Sequence, residues 1–141
     1  MASRRPLPQP DETTAAYWAA ARDGRLVLQR CRDCERVQFY PRALCSHCLS
    51  DDLDWIEATG EGEVHSYTTV HRALMPGFED AVPYVVALIE LDEGVRLLSR
   101  LVGCAPEAVS VGLRVRAVFE TLSEDVAIPN FQPLEDDGRD A

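Results

Sequence analysis

Three features of the sequence predict a mainly β fold: an N-terminal helix, a rubredoxin-like zinc ribbon and then a five-stranded OB-fold barrel. The first is a doubled cysteine pair, Cys31-Arg-Asp-Cys34 and Cys45-Ser-His-Cys48. The second is a series of alternating apolar and polar segments from Trp55 onward, separated by turn residues. The third is a short helical signal, Pro106-Glu107-Ala108-Val109, between the third and fourth of those segments. Five strands so interrupted have the layout of a small Greek-key barrel, with a meander sandwich as the alternative.

Residues 1–24 form an arm and a helix. The first ten residues hold three prolines and read as a loose arm. A helix fits Thr13 to Asp23, with Thr13 or Thr14 as its N-cap, an alanine-rich centre and Gly24 as its stop. Its large apolar side chains are Tyr17 and Trp18. They either pack on the ribbon or form a docking arm, since small residues beside aromatics suit a partner's groove.

The ribbon is expected over residues 25–50. Arg25 to Arg30 is a strand leading into the first cysteine pair, and Val37 to Tyr40 is a second, stopped by Pro41. Each CxxC puts two thiols on one tight turn, and the ten residues between the pairs let the second turn face the first. Four thiolates around one tetrahedral ion is the closed coordination of structural zinc. Iron in a rubredoxin-like site uses the same ligands, although proline and glycine usual around such knuckles are missing. So small a ribbon needs metal for its folding energy. His47 reads as a solvated knuckle residue, and Cys104 as a small buried hydrophobe.

The barrel is expected over residues 51–134, with an acidic, disordered tail at 135–141. Its strands are Gly62–Val70, Tyr84–Leu91, Val95–Val102, Leu113–Glu120 and Val126–Phe131. The breaks carry Pro76-Gly77, Asp92-Glu93-Gly94 and Val111-Gly112. Strict alternation puts Val64, Ser66, Thr68 and Val70 on one face of the first strand. His65, Tyr67, Thr69 and His71 then share the other. That second face is either a binding surface or a solvated wall. The following loop, with Arg72, Leu74, Met75 and Phe78, is apolar where loops are normally polar, a mark of an interface.

Charge is divided unevenly. Residues 1–50 hold eight arginines against five acids, whereas residues 51–141 hold six against nineteen; lysine is absent. An acidic barrel argues against a phosphate backbone as partner, leaving a nucleic-acid-binding OB/ribbon module as the alternative reading. No apolar run is long enough to cross a bilayer, and the N-terminus lacks an apolar signal segment, so a cytoplasmic chain is expected. No Ser-His-Asp set, phosphate-cradling loop or carboxylate pair is recognisable, and no catalytic residue is expected.

Several short motifs resemble the zinc-ribbon/OB-fold proteins associated with thiolase-like acyl-CoA enzymes. They are Tyr17-Trp18, Gly24 to Cys31, Phe39-Tyr40-Pro41-Arg42, Gly62 to His71, Pro83 to Val86 and Ile128 to Pro133. The resemblance implies a non-catalytic subunit beside a thiolase, hydroxymethylglutaryl-CoA synthase, acyltransferase or steroid side-chain lyase. It also implies that the barrel binds or channels acyl-CoA while ribbon and helix dock on the enzyme. Tyr17, Trp18, His65, Tyr67, His71, Arg72 and Phe78 are then candidate contacts with CoA or partner. Arg72, Arg96, Arg100 and Arg114 are the candidates for its phosphates, most of which the partner is expected to hold. Some members are fused to a hydratase-like domain, so the chain is compatible with a piece of a longer protein.

Overall fold

A computed structural model describes residues 7–73, 77 and 80–134. Helix α1 (Ala15–Arg22) opens it, shorter than expected because the turn before it is closed by Asp11. The Asp11 carboxylate accepts from the Thr14 backbone N–H at 2.9 Å, so Thr14 stands at the N-cap without a capping side-chain bond. Tyr17, Ala20 and Ala21 are buried.

The ribbon is a three-stranded antiparallel sheet of β2 (Val37–Gln38), β1 (Val27–Cys31) and β3 (Leu53–Glu57), in that order. Val37 to Tyr40 yields only two strand residues, because the chain turns away before Pro41 toward the second cysteine pair. The third strand lies beyond Ser50: Leu53 pairs with Cys31 and Glu57 with Val27. Only the three-dimensional pairing distinguishes this segment from a barrel strand.

The barrel is closed in the order β4 (Glu61–Val70), β5 (Tyr84–Leu91), β6 (Arg96–Leu101), β8 (Ala127–Pro133) and β7 (Arg114–Thr121). A 3-10 turn at Pro106–Ala108 bridges β6 and β7. Closure comes from β4 against β7, with Gly62 opposite Val115, and from a parallel contact of Leu101 with Phe131. Gly62 is needed where it stands, since a Cβ there would collide with the Glu90 carbonyl and lie 3.0 Å from Leu91 Cα.

One apolar core unites the two modules. Leu26, Val27 and Leu28 of the ribbon and Tyr17 and Ala20 of α1 join Val64, Ile89, Leu97, Val115 and Phe131 of the barrel. Helix α1 is the wedge between them, in contact with β1, β7 and β8. The ribbon therefore has apolar support as well as its metal site.

Candidate metal centre and ligand-facing surfaces

Cys31, Cys34, Cys45 and Cys48 converge, with all four sulfurs within 4.8 Å of one another. Cys31 Sγ is 3.5 Å from Cys48 Sγ, and Cys34 Sγ is 3.6 Å from Cys45 Sγ. A tetrahedron with bonds of about 2.3 Å has edges of about 3.8 Å, so the four donors fit a zinc ion. The two knuckles are built alike. Glu35 N–H donates to the Cys31 carbonyl at 2.9 Å and Leu49 N–H to the Cys45 carbonyl at 3.0 Å. Glu35 and Leu49 each take φ of +66°, where glycine would be comfortable, at about 1–2 kcal/mol apiece. Metal binding supplies far more than that.

Backbone donors prepare the sulfurs for the ion. The N–H groups of Cys48 and His47 point at Cys45 Sγ and pull that thiol down to about 6. The Cys34 N–H, at 3.4 Å, lowers Cys31 in the same way. His47 contributes this backbone donor while its side chain stays outside the ligand cluster.

Behind the metal lies a buried amide network that sequence reasoning missed. Gln29 and Gln38 sit opposite each other on β1 and β2 and are 4% and 7% exposed. Gln38 Nε2 donates to Gln29 Oε1 at 2.6 Å and to the Leu44 carbonyl at 3.3 Å. Gln38 Oε1 accepts from Ser46 N–H at 2.7 Å. Gln29 Oε1 accepts from Arg42 N–H and its Nε2 donates to the Arg42 carbonyl, both at 2.8 Å. Together they hold the 39–46 segment that delivers the second knuckle. The available signal was two glutamines at apolar positions of short strands.

The expected line of His65, Tyr67 and His71 does not form. A β-bulge interrupts β4: Val64 pairs with Ile89 and the next pair is Ser66 with Leu88, leaving His65 as the extra residue. Tyr67 and Thr69 therefore lie opposite the buried Ala87 and Val85, while Ser66 and Thr68 share the outer face with Leu88 and Val86. His65 Nδ1 is 3.8 Å from Glu90 Oε1, and His71 is exposed past the strand end. Strict alternation fails because an inserted residue reverses every face beyond it. Leu74, Met75 and Phe78 lie outside the described residues, and Arg72 is exposed beside them.

The two aromatics of α1 divide. Tyr17 is 6% exposed, its hydroxyl kept protonated by burial, and its ring lies 4.9 Å from Trp18 and 5.5 Å from Phe39. It belongs to the core. Trp18 is half-buried, donates its indole N–H to Thr14 Oγ1 at 3.1 Å, and lines a cleft between α1, the ribbon and the outer barrel wall.

The arginines also sort themselves. Arg114 holds Asp92 bidentately at 2.9 and 3.1 Å and lies 3.6 Å from Glu61; its hydrogen bonds keep the Asp92 carboxyl below the usual range. Arg96 is paired with Glu90 at 3.2 Å. Arg100 has no such acid among the described residues and lies 5.4 Å over the Tyr84 ring.

Comparison with known proteins agrees with this architecture. Residues 18–54 match the family described as ChsH2, rubredoxin-like zinc ribbon domain, and residues 55–120 match ChsH2, C-terminal OB-fold domain. A DUF35 domain-containing scaffold protein of Methanocaldococcus jannaschii is 41% identical over 101 residues, 71% of each chain. This chain belongs to the ChsH2/DUF35 family of zinc-ribbon and OB-fold proteins. A probable enoyl-CoA hydratase alpha subunit of Thermomonospora curvata is 41% identical over 129 residues, covering 92% of this chain. The chain spans only 40% of that relative's length. A solved chain of the Ltp2-ChsH2(DUF35) aldolase superposes with a TM-score of 0.79 at 40% identity, covering 89% of this chain and 98% of that one. The family's zinc ribbon is thus present with all four ligands. Among the described residues, no helix is long and apolar enough to cross a membrane.

Proposed function

We propose that this chain is a non-catalytic, zinc-stabilised subunit that docks on a thiolase- or aldolase-type enzyme and helps to bind or channel its acyl-CoA substrate. The observation that carries this reading is the likeness to the chain of the Ltp2-ChsH2(DUF35) aldolase over 98% of that chain's length. The names of the relatives point the same way, one a scaffold protein and one a subunit of a CoA-processing enzyme. Retro-aldol cleavage of an acyl-CoA side chain, as in steroid breakdown, is the partner reaction this supports best. The chain's sequence offers no recognisable nucleophile–base set for that reaction, and we assign the chemistry to the partner. The chain's part is to present a rigid surface, in which zinc fixes the ribbon, α1 wedges ribbon to barrel, and the partner holds most of the CoA phosphates away from an acidic barrel. Both proteins are expected in the cytoplasm.

The test is affinity capture of the tagged chain from cells of its source, mass spectrometry of what is retained, and acyl-CoA turnover by the retained enzyme with and without this chain. A thiolase-like protein near one-to-one, whose turnover falls when this chain is stripped away, is the expected result. Recovery of nucleic acid, or turnover independent of this chain, would overturn the proposal.

A further inference from the structure

The cleft beside Trp18 has a volume of about 610 Å³, within the range of small-molecule sites, about 300–1,000 Å³. Its walls come from three separate parts of the fold: Trp18 of α1, Tyr40 after the ribbon strand, and the outer faces of the barrel at Tyr84, Leu98, Arg100 and Ile128. Leu98 is 58% exposed and Tyr40 50% exposed, so the apolar wall is open to an incoming group.

The polar groups in this wall are almost all engaged. Ser99 Oγ donates to the Pro129 carbonyl and Asn130 Nδ2 to Glu120 Oε1, each at 2.8 Å. Tyr40 Oη accepts from the Leu98 N–H at 3.3 Å. Arg100 is the exception, since its Nε is buried with no hydrogen-bond partner. Glu93 Oε1 is the other such atom among the described residues, and Glu93 is not part of this wall. Arg100 nevertheless lines the cleft and has no acid partner among the described residues, so a ligand carboxylate or carbonyl that meets its guanidinium gains a charge-assisted hydrogen bond. The low local polarity strengthens that bond.

We infer that this cleft is a binding site for an apolar acyl or ring group carrying one acceptor oxygen, a carboxylate or a thioester carbonyl, which accepts from the Arg100 guanidinium. The apolar body lies against Trp18, Leu98 and Ile128, and the oxygen-bearing end is held at Arg100 over Tyr84. Neither the carboxylate nor the thioester source is chosen by the geometry, because both present the same acceptor. The thioester source rests on the subunit reading, and the site itself does not.

The experiment is an NMR titration of the zinc-loaded full chain with three probes: 2-naphthoate, 2-naphthoyl-CoA and 2-naphthalenemethanol. Naphthoate is expected to shift the Trp18 indole and the amides of Leu98, Ser99 and Ile128. Arg100→Met, which keeps an apolar stem, should weaken naphthoate about tenfold or more while changing the neutral alcohol by less than about twofold. Ile128→Trp should fill the cleft and abolish binding of all three, with its fold checked by the unchanged spectrum of the zinc knuckles. Naphthoyl-CoA shifting the same residues identifies a thioester acyl group as a source, whereas naphthoate binding alone identifies a free carboxylate. The inference is overturned if naphthoate at about 1 mM shifts none of these residues, or if Arg100→Met binds it as well as the parent. It is also overturned if Arg100→Met and Ile128→Trp weaken partner capture while no probe binds, for the cleft is then a protein seat. Failure of partner capture alone would sink the subunit reading and leave the naphthoate result standing.

Discussion

Replacing Gln38 by leucine tests whether the buried amide network positions the second zinc knuckle. The substitution keeps the volume close but removes three bonds. Ser46 N–H loses its 2.7 Å acceptor, the Leu44 carbonyl loses a 3.3 Å donor, and Gln29 Oε1 keeps only its bond from Arg42 N–H. A buried polar group left unpaired costs about 1–3 kcal/mol. Water reaches Ser46 in part, so about 2 kcal/mol is a reasonable net loss. Because ribbon folding and metal binding are one process, that loss is read as zinc affinity weaker by about 30-fold. Competition with a chromophoric chelator at neutral pH measures it directly. Gln29→Leu should behave similarly, and the double variant should cost less than the sum, since the two side chains share a 2.6 Å bond. Unchanged zinc affinity in Gln38→Leu, with the barrel intact, would refute the positioning role.

Cys31→Ser should abolish stoichiometric zinc binding and loosen the knuckles, while α1 and the barrel keep their amide protection; metal analysis and hydrogen exchange report both. The purified parent should be colourless, and a red protein would assign ferric iron instead. Gly62→Ala should lower stability by about 1–3 kcal/mol in urea unfolding, as its Cβ meets the backbone of Glu90 and Leu91. Asp92 has a folded-state value held down by hydrogen bonds from Arg114, so its contribution is present above the unfolded carboxyl range and is lost as pH falls through the lower folded value. The pair is about two-fifths exposed, which limits it to about 0.2–1 kcal/mol. Asp92→Asn should remove that part of the acid destabilisation, and an unchanged acid profile would contradict it.

Much of this fold was legible because its determinants are local. Two CxxC turns, the Asp92-Glu93-Gly94 hairpin and the Pro106 turn each carry their instruction within four residues. What was not legible depended on pairing. Leu53–Glu57 looks like any short strand until it is set against Val27–Cys31. The bulge at His65 leaves no mark in an alternating segment, yet it moved Tyr67 to the other face. The cleft had a signal in Tyr84 to Ile89, apolar on both faces. A strand so composed expects cover on both sides, and its outer residues Tyr84 and Val86 instead line the cleft opposite Trp18 and Tyr40.

Zinc and cleft are joined through one short stretch of chain. Gln38 and Arg42 are tied into the amide network, and between them Phe39, Tyr40 and Pro41 form a wall of the cleft. Tyr40 also accepts the Leu98 N–H at 3.3 Å, which anchors that wall to β6. A metal that only stabilises the ribbon therefore also sets the shape of a surface made largely by the barrel. Chelation should release the 39–46 segment first, since its bonds to Gln29 and Gln38 are the support the knuckles maintain. Naphthoate binding should then fall about tenfold or more even though Arg100, Leu98 and Ile128 stay in a folded barrel. Titration of the zinc-free chain, with barrel amides as the internal control, decides the matter. If the 39–46 amides exchange freely and naphthoate still binds with undiminished affinity, the Tyr40 wall is dispensable and the metal and the cleft are independent.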